Sequence, residues 1–237
     1  MTTPQSARRG APAATPNPAA PAAPNADAAA TARHFDARAA TWDDNPARRA
    51  LTAAIAQAVV AITPVSRDLR VLEYGCGTAA LSFLLAGSVR EIVAADASPG
   101  MIEQVRQKLL GSGIGNVMPR LLDLTRDPLP ADRFDWVVTA MTLHHVADTD
   151  ALLAALRQLL IPGGVLIVAD LMTEDGSFHT DVAVPHHGFD PEDLVRRLRR
   201  IGFPDSRWHV VHRLDRAARE YPVFLLSARL AETTRGK

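Results

Sequence analysis

A single cysteine, Cys76, stands in 237 residues, so neither an intramolecular disulfide framework nor a multi-cysteine zinc or iron–sulfur site is available. A reducing, cytoplasmic setting fits that scarcity. An excess of charge is also missing, because 26 basic and 26 acidic side chains cancel. Without a basic field, nonspecific nucleic-acid binding is disfavoured. Long apolar runs are absent too: charge, Gly or Pro interrupts each one well short of the roughly 18 residues that a membrane span needs. A soluble chain with no membrane partner is expected. Arg8-Arg9 is followed by Ala, Pro, Asn and Thr rather than by a Leu-rich stretch, which argues against a secretion signal.

What remains is an ordinary globular composition, 47% apolar and 22% charged, enough for one well-buried domain. Residues 1–30 are the exception. They are rich in Ala and Pro with no bulky apolar side chain after Met1, cannot offset their ordering entropy by burial, and are expected to form a disordered tail. Residues 31–237 are read as the domain, with 31–63 a helical lid and 69–237 the core. In the lid, Phe35, Trp42, Leu51, Ile55, Val59 and Ile62 recur at helical spacing over 31–42 and 46–62. Asn45 is placed to cap the second helix and Pro46 to occupy its first turn.

From Leu69 the pattern changes to short apolar runs alternating with amphipathic stretches. Strands are predicted at 69–74, 91–95, 116–122, 134–140 and 165–171, with helices at 79–85, 99–110 and 148–160 between them, the last ended by Ile161-Pro162-Gly163-Gly164. A helix at 191–201 and a closing antiparallel hairpin, 207–213 with 221–230, follow. The expected fold is α/β: a doubly wound, Rossmann-like, seven-stranded sheet, mostly parallel with an antiparallel end.

The first strand runs into Glu73-Tyr74-Gly75-Cys76-Gly77-Thr78, a glycine turn at the strand end where open parallel sheets place ligands. The second strand ends in Asp96, a carboxylate suited to accept hydrogen bonds from ribose hydroxyls. The turn and Asp96 alone are also compatible with a dinucleotide fingerprint, and so with an NAD(P)-dependent reductase. Neither Tyr74 nor Tyr221, the only tyrosines, has lysine four residues on, so the Tyr-x-x-x-Lys relay of short-chain dehydrogenases is absent.

Further motifs narrow the choice. Glu73-x-Gly75-Cys76-Gly77-Thr78, Val93-Ala94-Ala95-Asp96-Ala97-Ser98-x-x-Met101, Asp123-Leu124 and Phe134-Asp135-x-Val137-Val138 leading to Leu143-His144-His145 together resemble the class I S-adenosylmethionine-dependent methyltransferases, of small-molecule type. The resemblance runs from about residue 31 to 230. It implies that S-adenosyl-L-methionine is the cofactor and that Glu73, Gly75 and Gly77 hold its methionine part. It further implies that Asp96 binds the ribose, that Ala97 and Met101 flank the adenine, that Asp123 and the Leu124 backbone read the adenine edge, and that Thr139 and Ala140 line the methionine. Charge agrees: a carboxylate such as Glu73 is favourable beside an ammonium and a sulfonium but would repel a pyrophosphate.

Methyl transfer from a sulfonium needs positioning and desolvation rather than a protein nucleophile. His144 and His145, just beyond the fourth strand, are the candidates for a base or for positioning the substrate. Phe35, Trp42, His179, His186 and Phe189 are candidate substrate contacts from the lid and from a loop after the fifth strand. Asp170, His179, His186 and His187 meet no metal-ligand spacing, so no metal is expected. The Thr-Ala-Met-Thr-Leu-His-His run departs from the Asn/Asp-Pro-Pro-aromatic loop of amino-directed nucleic-acid methyltransferases, and a small-molecule acceptor at O, N or C is the reading. A catalytically silent cofactor-binding module is the non-enzymatic alternative. Acceptor atom and oligomeric state stay open.

Overall fold

The computed structural model describes residues 28–62 and 64–232. The tail expected over 1–30 lies outside the described residues as far as residue 27, while Ala28 to Ala30 already belong to a helix, α1 (Ala28–Asp36). A short 3₁₀ segment, Ala39–Asp44, follows where one continuous helix was expected, and then α2 (Pro46–Ile62). Asn45 caps α2 through its Oδ1, which accepts from Ala47 N at 2.9 Å, and Pro46 fills the first turn.

Seven strands follow: β1 (Arg70–Tyr74), β2 (Glu91–Asp96), β3 (Val117–Leu121), β4 (Phe134–Ala140), β5 (Leu160–Leu171), β6 (Asp205–Arg216) and β7 (Arg219–Arg229). They form one sheet in the order β3-β2-β1-β4-β5-β7-β6. β1 to β5 are parallel, and β7 runs antiparallel to both β5 and β6. The order reverses between β1 and β4, which opens a crevice at their carboxyl ends. β1, β2 and β4 are buried almost throughout, the signature of strands covered on both faces. One core, with Ile55, Val59, Ile92 and Ile167, lies on one face, and a second, with Leu72, Leu153, Leu198 and Phe224, on the other.

The helices between strands are α3 (Ala80–Leu85), α4 (Pro99–Leu109), α5 (Thr149–Gln158) and α6 (Pro191–Arg200). Ser98, Asp148 and Asp190 cap the last three, each accepting from a backbone N–H of the first turn. Asp96 is therefore not a helix cap. The helix expected to reach residue 160 stops at Gln158, and Leu160 already pairs with Phe134. The register then jumps to Trp136 with Val165, so Ile161 to Gly164 form a bulge inside β5 rather than a helix terminus.

Candidate active site

The glycine turn leaves β1 with Gly75 at φ +72° and Gly77 at φ +55°, left-handed conformations that glycine adopts without steric cost. Gly75 also leaves no space for a side chain, since a Cβ there would lie 2.3 Å from Thr142. Gly75 N and Cys76 N donate to Ala95 O at 2.8 and 3.0 Å, and Gly77 N donates to Asp96 Oδ2 at 2.8 Å. Asp96 Oδ1 accepts from Ser98 N at 2.8 Å. One carboxylate thus ties the turn to the end of the neighbouring strand. Its pKa is raised, chiefly by burial and against the pull of these backbone donors.

Glu73 is buried behind the turn, with Oε2 accepting from Ser82 N at 3.0 Å and from the Ser82 hydroxyl. Burial pushes its carboxyl up to about 7 despite both bonds, and the Asp96 charge adds to the rise. A cationic ligand group beside it would reverse that shift. Burial and the charges of Glu73 and Asp96 push the Cys76 thiol up as well, which keeps it in its inert, protonated form.

A cavity of about 1070 Å³ opens above the turn. Glu73, Gly75, Gly77, Asp96, Ala97, Met101, Asp123, Leu124, Ala140, His144 and His145 line it, together with Phe35, Trp42 and His179. Asp123 Oδ1 accepts from Thr125 N at 3.0 Å, and Leu124 N donates to the Tyr74 hydroxyl at 3.1 Å, so both adenine-edge candidates are held by local bonds. Three expected residues are not on the wall. Thr139 is fully buried in β4, one residue before the wall residue Ala140, because successive strand residues face opposite sides. Phe189 is drawn into the core beside Leu194 by the Met172–Phe189 bridge, and His186 turns to Ala147 O at 3.1 Å.

The N-terminal segment closes the cavity. Asp36 Oδ1 accepts from the Ser98 hydroxyl at 2.5 Å and from Gly100 N at 2.8 Å, docking α1 on the start of α4. Asp43 accepts from the Thr78 hydroxyl at 2.7 Å and pairs with Lys108. Across the mouth, Arg38 meets Asp181 of the loop after β5 at 2.5 Å. Phe35 stands edge-on to Trp42 and to His145, with ring centres 5.5 and 5.0 Å apart.

On the far wall, His144 and His145 sit in a 3₁₀ turn, Leu143–His145, after β4. His144 Nδ1 lies 2.6 Å from Asp170 Oδ1 at the end of β5, and both residues are buried. That contact orients the ring, and Nε2 is left buried with no hydrogen-bond partner among the described residues. Burial and the neighbouring His144 and His179 hold His145 well below the usual histidine pKa, and burial with His144 brings His179 down to about 4. His145 and His179 therefore present neutral imidazoles at physiological pH.

Residues 71–164, from β1 into β5, match the Methyltransferase domain family. The DhpI–SAH complex shares this fold with a TM-score of 0.65 and 25% identity, over 85% of this chain and 95% of DhpI. Over residues 71–164 the chain is thus similar to methyltransferase domains, and its fold is that of a protein solved in complex with SAH. An uncharacterized methyltransferase of Schizosaccharomyces pombe is 31% identical over 58% of this chain and 54% of its own length. The ubiquinone biosynthesis O-methyltransferase of Cereibacter sphaeroides is 37% identical over 47% of this chain and 45% of its own. The chain spans about half the length of these relatives.

Several residues of this site were hidden in the sequence. Thr142 packs on Gly75 and donates to Gly75 O at 3.2 Å, Tyr74 fixes Leu124, Ser82 holds Glu73, and Asp36 docks the lid. Ser82 had a legible signal, since it follows the glycine turn on α3. Thr142 and Asp36 act through contacts distant in sequence and had none.

Proposed function

We propose that the protein transfers the methyl group of S-adenosyl-L-methionine to a small-molecule acceptor bound against the histidine wall. The observation that carries this reading is the pair of carboxylates, Glu73 and Asp96, at the ends of adjacent parallel strands with the glycine turn between them. Asp96 suits two ribose hydroxyls. Glu73, buried and hydrogen-bonded only through Ser82 among the bonds described, suits the ammonium and sulfonium of the methionine part and opposes a pyrophosphate. DhpI, a protein of the same fold, forms a complex with SAH, and that supports the reading.

The chemistry is an in-line displacement. A lone pair on the acceptor forms the bond to the methyl carbon as the carbon–sulfur bond breaks, its electrons passing to sulfur to leave neutral S-adenosylhomocysteine. The acceptor's proton goes to a neutral imidazole nitrogen of the wall or to water. The protein contributes orientation and exclusion of solvent. A cavity of about 1070 Å³ holds the cofactor with a metabolite-sized partner, and the closed lid disfavours a nucleic-acid strand.

Incubating the protein with trideuteromethyl-labelled cofactor and a panel of phenols, quinols, amines and carboxylic acids tests the reading. A labelled product formed with stoichiometric S-adenosylhomocysteine is expected. Cofactor binding with no product across acceptors of all these classes would instead favour a silent binding module.

A further inference from the structure

We infer that His144, His145 and His179 form a binding site for one first-row divalent metal ion, such as Zn²⁺, on the acceptor side of the cavity. No spacing signature announces it, because the loop after β5 delivers His179 to a turn that follows β4. One ring nitrogen from each residue lies within 4.8 Å of the other two. The ring centres are 4.1, 4.8 and 5.4 Å apart, and all three rings line the cavity.

Two further features point to a ligand at this spot. His144 Nε2 and His145 Nδ1 are buried polar atoms with no hydrogen-bond partner among the described residues, an arrangement that destabilises the fold unless something fills it. His144 also carries the support that metal-bound histidines have. Asp170 Oδ1 lies 2.6 Å from Nδ1, which orients the ring and leaves Nε2 as the nitrogen without a hydrogen-bond partner among the described residues.

Three imidazole donors suit zinc, cobalt or copper and not magnesium or calcium, which take oxygen ligands. A tetrahedral ion with bonds of about 2.0–2.1 Å holds its ligand nitrogens roughly 3.4 Å apart, so a spacing of 4.8 Å contracts by roughly 1.4 Å through ring rotation. The fourth position faces the cavity. The role we give the ion rests on the methyl-transfer reading: an acceptor hydroxyl or enol takes the open position, releases its proton to solvent, and keeps an oxygen lone pair for the methyl carbon. The ion then does what a histidine base would otherwise do, and the acceptor class narrows to oxygen nucleophiles. Binding of the ion is independent of that reading.

The test uses the full-length, tag-free protein stripped with a chelator and titrated with Co²⁺, then displaced with Zn²⁺. One equivalent of Co²⁺ should give intense visible bands of low-symmetry coordination that Zn²⁺ abolishes. Half-buried His179 can be removed without disturbing the core, and His179→Ala should weaken binding at least about 100-fold, with Asp170→Asn weakening it roughly 10- to 100-fold. Circular dichroism melts establish that each variant is folded. Absence of the bands, or stoichiometric binding unchanged in His179→Ala, overturns the site. Cobalt bands without S-adenosylhomocysteine binding would support the site and strike the methyl-transfer reading alone.

Discussion

His144 Nδ1 lies 2.6 Å from Asp170 Oδ1, joining the turn after β4 to the end of β5 behind the cavity wall. Asp170 also accepts from His144 N at 3.3 Å and from Leu171 N at 2.7 Å, so one buried carboxylate sets both the position and the tautomer of the ring. Asp170→Asn removes the preference for a proton on Nδ1. Nitrogen NMR of the imidazoles should show His144 losing its Nδ1–H form, and turnover should fall by roughly 100-fold or more at unchanged cofactor affinity. An unchanged tautomer would remove Asp170 from this role.

Gly75 is fixed by space and by backbone. Gly75→Ala should lower stability by about 2–4 kcal/mol, since its Cβ would lie 2.3 Å from Thr142 at a φ of +72°. On a Thr142→Gly background, where the collision is gone, Gly75→Ala should add only the cost of the left-handed backbone, about 1 kcal/mol. Urea denaturation of both single variants and the double variant checks this. An equal cost of Gly75→Ala in both backgrounds would show that the collision contributes nothing.

Glu73 gives a pH dependence whose sign is fixed. Its folded-state pKa is raised from about 4.5 to about 7, so the contribution it makes as a protonated group is fully present below the lower value and lost as pH rises to the upper one. Without cofactor, Glu73→Gln should gain stability relative to wild type across that window, by on the order of 3 kcal/mol. A bound cation favours the ionised form, so affinity for S-adenosylmethionine should rise with pH up to about 7 and then level off. Denaturation and calorimetry on either side of the window test both statements, and a flat stability difference would contradict the first.

Asp36 fastens the lid by accepting from the Ser98 hydroxyl and Gly100 N. Asp36→Ala should free α1 while leaving the sheet intact, weakening cofactor binding about 10-fold and exposing the N-terminal segment to protease. A drop in global stability of several kcal/mol would show that α1 belongs to the core.

Ala217 and Ala218 turn the β6–β7 hairpin with φ of +48° and +60°, both in the left-handed region that alanine disfavours. Asn followed by Gly suits such a two-residue turn. Ala217→Asn with Ala218→Gly should stabilise the protein by about 1 kcal/mol without touching the cavity. A loss in thermal stability would contradict that reading of the turn.

The sheet was legible because strands covered on both faces appear as contiguous apolar runs, and Asn45 marks where α2 starts. The position of the glycine turn and of Asp96 at the crevice was legible for a similar reason, because both are local features at strand ends. Long-range contacts hid the remainder. Ile161-Pro162-Gly163-Gly164 resembles a helix terminus, and only pairing with Phe134 makes it a bulge. Thr139 and Ala140 differ by one residue of register, which decides which one meets the cavity. His186, Phe189 and His179 share one irregular loop, and it is the Met172–Phe189 bridge that turns Phe189 inward while His179 joins the wall.

Whether the cavity holds S-adenosylmethionine with its ribose on Asp96 is decided by calorimetric titration with S-adenosylhomocysteine, beside NADH and NADPH, for wild type and Asp96→Ala. Saturable one-to-one binding of S-adenosylhomocysteine alone is expected, weakened roughly 10- to 100-fold in the variant by the lost ribose bonds. Binding of a nicotinamide nucleotide in its place, or an affinity indifferent to Asp96, would contradict that assignment.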